Sequence, residues 1–155
     1  MPTTNEIIAF CKEKIPEAIP LFEYIREKEP AEDYLRVLEE AGERLEIYEE
    51  VLEEEGPEMA ELYLLEVRME LRVDEQIYRW HSTKAEGGDT TPIEKNLRMK
   101  LFEQVELEIR SGRAELAALK EEVSELEADL KEMEKTKTRL VDERLAEILD
   151  EDEDE

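Results

Sequence analysis

The sequence is poor in the residues that usually carry chemistry. It has one cysteine, Cys11, and one histidine, His81. A lone cysteine excludes an internal disulfide and fits a reducing compartment. It also lies in an apolar stretch with no histidine near in sequence, so burial is expected for it rather than reactivity. A lone histidine excludes the paired Glu-x-x-His turns of a di-iron bundle, and Tyr78, not glutamate, stands three residues before it. Glycine is scarce, 5 in 155 residues, and Gly87-Gly88 lacks the following context of a phosphate-cradling loop. No catalytic, cofactor-binding or metal-ligating residue is assigned, and the chain is expected not to be an enzyme.

Long apolar runs are missing too. None approaches the 18 residues of a membrane span, and the opening MPTTNEIIAF has no basic stretch, so a soluble, cytoplasmic protein is expected. Basic residues are outnumbered: 21 Lys and Arg face 46 Asp and Glu, a formal charge of −25. Such a surface repels nucleic-acid phosphates and anionic membranes and favours basic partners. Direct nucleic-acid binding is not expected. Of the acids, 38 are Glu and only 8 are Asp. Glu is a good helix former and Asp is not, so the bias reports helix content, and the expected fold class is all-α.

The stretch from Pro92 to about Leu149 organises the rest. With Phe102 as the first a position of a heptad, the a column is Phe102, Ile109, Leu116, Val123, Leu130 and Lys137. The d column is Val105, Gly112, Leu119, Leu126, Met133 and Leu140. Ten of the twelve sites are apolar and the 3-4 spacing never slips, which predicts one long helix over 92–149 with a coiled-coil seam. At 1.5 Å per residue such a helix reaches about 87 Å, too long for the core of a small domain. Part of it must find a partner. Because the phase holds across Gly112, a continuous helix is expected there, although glycine costs about 1 kcal/mol of helix propensity. In a parallel homodimer Glu108 would meet Arg113 and Glu115 would meet Lys120, both attractive; Glu122 with Glu127 and Asp129 with Glu134 would repel. Exposed pairs are worth only tenths of a kcal/mol, so the apolar seam decides and antiparallel pairing stays open.

The preceding chain, 1–86, reads as a helical body of about four helices forming a small antiparallel bundle. Thr4, Asn5 and Glu6 offer cap residues for a first helix over 4–15, and a short second helix covers 16–29, starting as late as Pro20. The third helix, 31–55, carries Tyr34, Leu38, Ala41, Leu45, Tyr48 and Leu52 on one side. Glu39, Glu43, Glu46, Glu50 and Glu53 lie on the other, and three Glu at the last turn oppose the helix dipole. Gly56-Pro57 is a stop-and-restart signal. The fourth helix, 58–82, has two apolar stripes, one through Leu62, Leu65, Met69, Val73, Ile77 and Trp80, the other through Ala60, Leu64, Val67, Leu71 and Tyr78. The third and fifth helices are its expected neighbours. Residues 87–92 form the linker, and 150–155, six acids in a row, read as a disordered tail.

Three candidate surfaces follow. The first is the oligomer seam just given. The second is the group Tyr78, Trp80 and His81, which places the sole Trp and sole His beside the linker as candidate partner contacts; plugging the end of the core is the blander role. The third is the acidic surface of Glu39, Glu43, Glu46, Glu50 and Glu53 with Asp150, Glu151, Asp152 and Glu153. The expected function is a non-enzymatic coiled-coil adaptor, assembly or scaffolding subunit, with a homodimer or a coiled-coil protein as partner. An acidic mimic of nucleic acid, inhibiting a basic nucleic-acid-binding protein, is the alternative. An oligomeric nucleic-acid packaging or regulatory factor using the Tyr78–Ser82 region is weaker still, because no helix pair carries a recognition helix with exposed basic residues, and the basic cluster Lys131, Lys135, Lys137 and Arg139 is interleaved with Glu132 and Glu134.

Overall fold

The computed structural model describes residues 1–153. Those residues form an all-helical protein of six helices: α1 (Thr4–Lys14), α2 (Ala18–Lys28), α3 (Ala31–Glu54), α4 (Pro57–Ala85), α5 (Thr91–Lys135) and α6 (Lys137–Glu153). Among the described residues no helix is long and apolar enough to cross a membrane. The chain divides into two units, Met1–Ser111 and Gly112–Glu155.

In the first unit, α1 begins at Thr4 as expected, and its cap is Thr3, one residue before the expected cap residues. Thr3 Oγ1 accepts from the Glu6 amide at 3.2 Å, and Glu6 Oε2 accepts from the Thr3 amide at 2.8 Å. This reciprocal box satisfies two otherwise orphaned donors and is worth about 1 kcal/mol. After Lys14 the chain turns through Ile15, which is fully buried, and the Ala18 amide donates to the Ile15 carbonyl at 2.9 Å to start α2. The apolar residues of these two short helices are spent on one core. Phe10, Cys11, Ala18, Phe22 and Ile25 are buried there with Leu38, Ala41 and Leu45 of α3 and Leu64, Val67 and Leu71 of α4. Each large side chain among them contributes about 1.5–3 kcal/mol by leaving water.

Helices α1 and α2 pack on each other and on α3, and α4 packs on both α3 and α2. Gly42 makes the first of these contacts close: a Cβ there would stand 3.1 Å from Ile7 Cδ1. At the far end of α3 no basic residue opposes the glutamates. The turn is closed by the backbone instead, with the Glu55 and Gly56 amides both donating to the Val51 carbonyl at 2.8 and 3.1 Å. Gly56 has φ +95°, a left-handed value that favours glycine, and Pro57 opens α4 where its missing amide costs nothing.

The two stripes of α4 separate cleanly. Ala60, Leu64, Val67 and Leu71 are buried on one side, whereas Leu62, Val73 and Gln76 are buried on the other. The neighbour of the first stripe includes α2 as well as α3, which the sequence pattern did not anticipate. After α4, Gly87 takes φ +73° and Asp89 Oδ1 accepts from the Thr91 amide at 3.0 Å, a short side-chain turn that starts α5.

Two expectations about the C-terminal half need correction. The helix over 92–149 runs unbroken through Gly112 but is divided at Thr136. There the Thr136 amide and hydroxyl both donate to the Glu132 carbonyl, at 3.0 and 2.9 Å, while the Leu140 amide donates to the Thr136 carbonyl at 2.9 Å. Sharing one carbonyl between two donors loosens the helix at that turn without interrupting its bonding pattern. Four of the six residues expected in a disordered tail are helical. Helix α6 extends through Asp150, Glu151, Asp152 and Glu153, because propagation adds a hydrogen bond for each further residue fixed. The remainder of the expected tail, 154–155, lies outside the described residues.

Candidate interaction surfaces

The seam residues are bare. In the first unit Phe102 is 66 % exposed, with Val105 and Ile109 close behind; in the second, Leu116, Leu119, Val123, Leu126, Leu130 and Met133 are all about half exposed. Leu140 is half-buried. No residue of α5 is buried.

Helix α5 carries a second row that the heptad reading missed. Ile93, Leu97, Lys100, Gln104, Leu107 and Ser111 are half-buried, at 4-3-4-3-4 spacing. At 100° per residue this row lies on the side of the helix nearly opposite Phe102, Val105 and Ile109. Two hydrogen bonds show what it faces. Trp80 Nε1 donates to Glu94 Oε1 at 3.1 Å, and the Ser111 hydroxyl donates to the Glu66 carboxylate. As the α5 number rises the α4 number falls, so the first part of α5 runs antiparallel along the Leu62–Trp80 stripe of α4. The signal was present in Ile93, Leu97 and Leu107, but Lys100, Gln104 and Ser111 between them hid it. Within the first unit, therefore, one side of α5 is engaged and the seam side is left open.

Tyr78, Trp80 and His81 are not one cluster. Tyr78 packs against the core and its ring stands 5.7 Å from that of Tyr24. Trp80, two positions on, faces the other way and takes Glu94. His81 is exposed, with its ring edge-on to Trp80 at 5.0 Å, and Lys84 Nζ sits 4.6 Å from the Trp80 ring centre. Trp80 is thus occupied on its edge by a carboxylate and on its face by an ammonium.

Glu39, Glu43, Glu46, Glu50 and Glu53 are all exposed along one face of α3. The only basic residues of that helix point their charge elsewhere: Arg36 pairs with Asp33 at 3.4 Å, and Arg44 with Glu70 of α4 at 3.2 Å. Asp150 and Glu151 are exposed on α6.

One polar constellation had no signal in the sequence. Glu17 sits just before α2 and accepts from Arg68 Nε and Nη2 at 2.8–3.0 Å and from Arg72 Nη2 at 3.0 Å. Partial burial alone would raise its pKa; the hydrogen bonds from Arg68 and Arg72 outweigh that and hold it below the usual range. Asp74 moves the other way, raised by burial and by the neighbouring Glu70 charge. Burial pushes the Cys11 thiol up to about 11, so it is an inert core group. Among the described residues no group of three or more His, Cys, Asp or Glu side chains is arranged to hold a metal ion.

No family model, curated protein or solved structure matches this chain.

Proposed function

We propose that the protein is a non-enzymatic interaction protein, an adaptor or assembly subunit, that works by burying the α5 seam against a helix of another chain. In this reading residues 1–86 form a small antiparallel bundle, and the seam from Phe102 to Leu140 is a coiled-coil surface. The observation that carries it is the row of half-exposed Val, Leu, Ile, Phe and Met at 3-4 spacing along α5. Scattered apolar residues on a surface need no explanation, but a contiguous stripe of this length marks a site of association. Covering it removes the exposed area from water at about 25 cal/mol per Å², and this is the energy that assembles coiled coils.

A second reading draws on the file of five exposed carboxylates on α3. With α6 ending in acids, it suits a protein that presents negative charge to the basic surface of a nucleic-acid-binding partner. The two readings separate in one affinity-capture experiment. The double variant Leu119→Asp/Leu126→Asp should lose the partner if the seam binds it. Charge reversal at Glu39, Glu43, Glu46, Glu50 and Glu53 should lose it, with steep salt dependence, if the acidic face does. Retention of the partner by the seam variant would overturn the first reading.

A further inference from the structure

Resting on the seam just proposed, we infer that the occupant of the second unit's apolar face is the same face of a second copy of this chain, paired antiparallel in one register. The seam of this unit has two flaws, Gly112 at a d position and Lys137 at an a position. Gly112 has nothing within 4 Å of where a Cβ would be, so it leaves a gap in any partner's packing. Lys137 brings a charge into an apolar row. In antiparallel coiled coils each a residue meets a d residue of the partner. A single register sets Lys137 over Gly112 of the second copy, and by symmetry Gly112 under the second copy's Lys137. The long side chain passes over the only position with no side chain and carries its ammonium out to solvent.

The same register makes every layer between these two flaws apolar. Leu116 meets Met133, Leu119 meets Leu130, and Val123 meets Leu126, each of them twice. The flanks agree on one side: Arg113 lies across from Glu134 of the second copy, and Lys120 across from Glu127. On the other side Glu115 meets Thr136, and between the two flaws Glu122 meets Asp129 as the one kind of like-charge contact. Shifting the register by one heptad in either direction puts Gly112 and Lys137 into two separate layers. Parallel pairing is worse. It sets Gly112 against Gly112, Lys137 against Lys137, and Glu122 and Asp129 against Glu127 and Glu134, with only Glu115 against Lys120 attractive within this unit. Both defects and the charges therefore choose the same arrangement, and only a second copy of this sequence supplies it.

Disulfide trapping in the full-length chain tests this. With Leu116→Cys and Met133→Cys combined, mild oxidation should give a covalent dimer in high yield, whereas either substitution alone should not. Wild type, whose only thiol is the buried Cys11, is the blank. Arg113→Glu should weaken self-association about three- to tenfold, and adding Glu134→Arg should restore it. Efficient crosslinking by Leu116→Cys alone would show parallel pairing and overturn the inference while leaving the seam in use. A protein of single-chain mass with no crosslink in any variant would also overturn it. The seam proposal then stands if partner capture depends on Leu119 and Leu126, and falls with it if capture does not.

Discussion

Arg68 grips Glu17 across 51 residues of sequence, with Nε 2.9 Å from Oε2 and Nη2 2.8 Å from Oε1. The pair ties the start of α2 to the middle of α4, and Arg72 adds a further bond to Oε1 at 3.0 Å. Glu17→Gln should lower stability by about 1–2 kcal/mol at pH 7, because charge-assisted bonds are lost while two guanidinium groups remain. The folded pKa of Glu17 lies below the ordinary glutamate value of 4.5. Its contribution is therefore present above the unfolded pKa and disappears as the pH falls through the folded one. Urea titrations should show wild type and variant converging below about pH 4. A constant gap down to pH 2 would mean the ion pair is not its source.

Asp74 has the opposite sign. Its folded pKa is raised, so its contribution is full below the unfolded value of 3.8 and is lost as the pH rises through the folded pKa. At pH 7 the ionised group is a cost. Asp74→Asn should stabilise by up to about 1 kcal/mol at neutral pH and have no advantage near pH 3.5. Destabilisation at pH 7 would show that Arg44 compensates the charge more fully than its position indicates.

Cys11 is fully buried. A thiol-specific reagent at pH 8 should label it only at the rate of unfolding, and at once in strong denaturant. Cys11→Ser should cost about 1–3 kcal/mol, since the hydroxyl enters the core without a partner, and Cys11→Ala less. Rapid labelling of the native protein would show that α1 opens locally from the core.

Gly42 sets how closely α1 approaches α3. Gly42→Ala should be near neutral, because about 1 kcal/mol of helix propensity is set against the 3.1 Å approach of Ile7 Cδ1. Gly42→Leu should destabilise by about 1–3 kcal/mol through overpacking. A leucine tolerated without loss would mean that α1 is loosely held.

The sequence disclosed what depends on local periodicity and punctuation. Gly56-Pro57 and Gly87-Gly88 marked the helix boundaries because left-handed backbone and a missing amide are properties of single residues. The two stripes of α4 were readable for the same reason. Contacts that depend on distant residues were not. Nothing near Glu17 announces Arg68, and the α5 row through Leu97 and Leu107 is broken by Lys100 and Gln104, whose stems cover apolar surface as the sequence alone does not reveal. Thr136 adds a hydroxyl bond to the Glu132 carbonyl, a local loosening of the long helix that heptad counting ignores. The tyrosine, tryptophan and histidine of 78–81 looked like a cluster because they are adjacent in sequence; on a helix, neighbours two apart face opposite ways.

The seam is tested most directly by the mass of the protein in solution. Sedimentation equilibrium of the full chain should give the mass of two chains, and Leu119→Asp/Leu126→Asp should return it to one while the helical signal of residues 1–111 is kept. Equal single-chain masses for wild type and variant, across the accessible concentration range, would contradict self-association through α5.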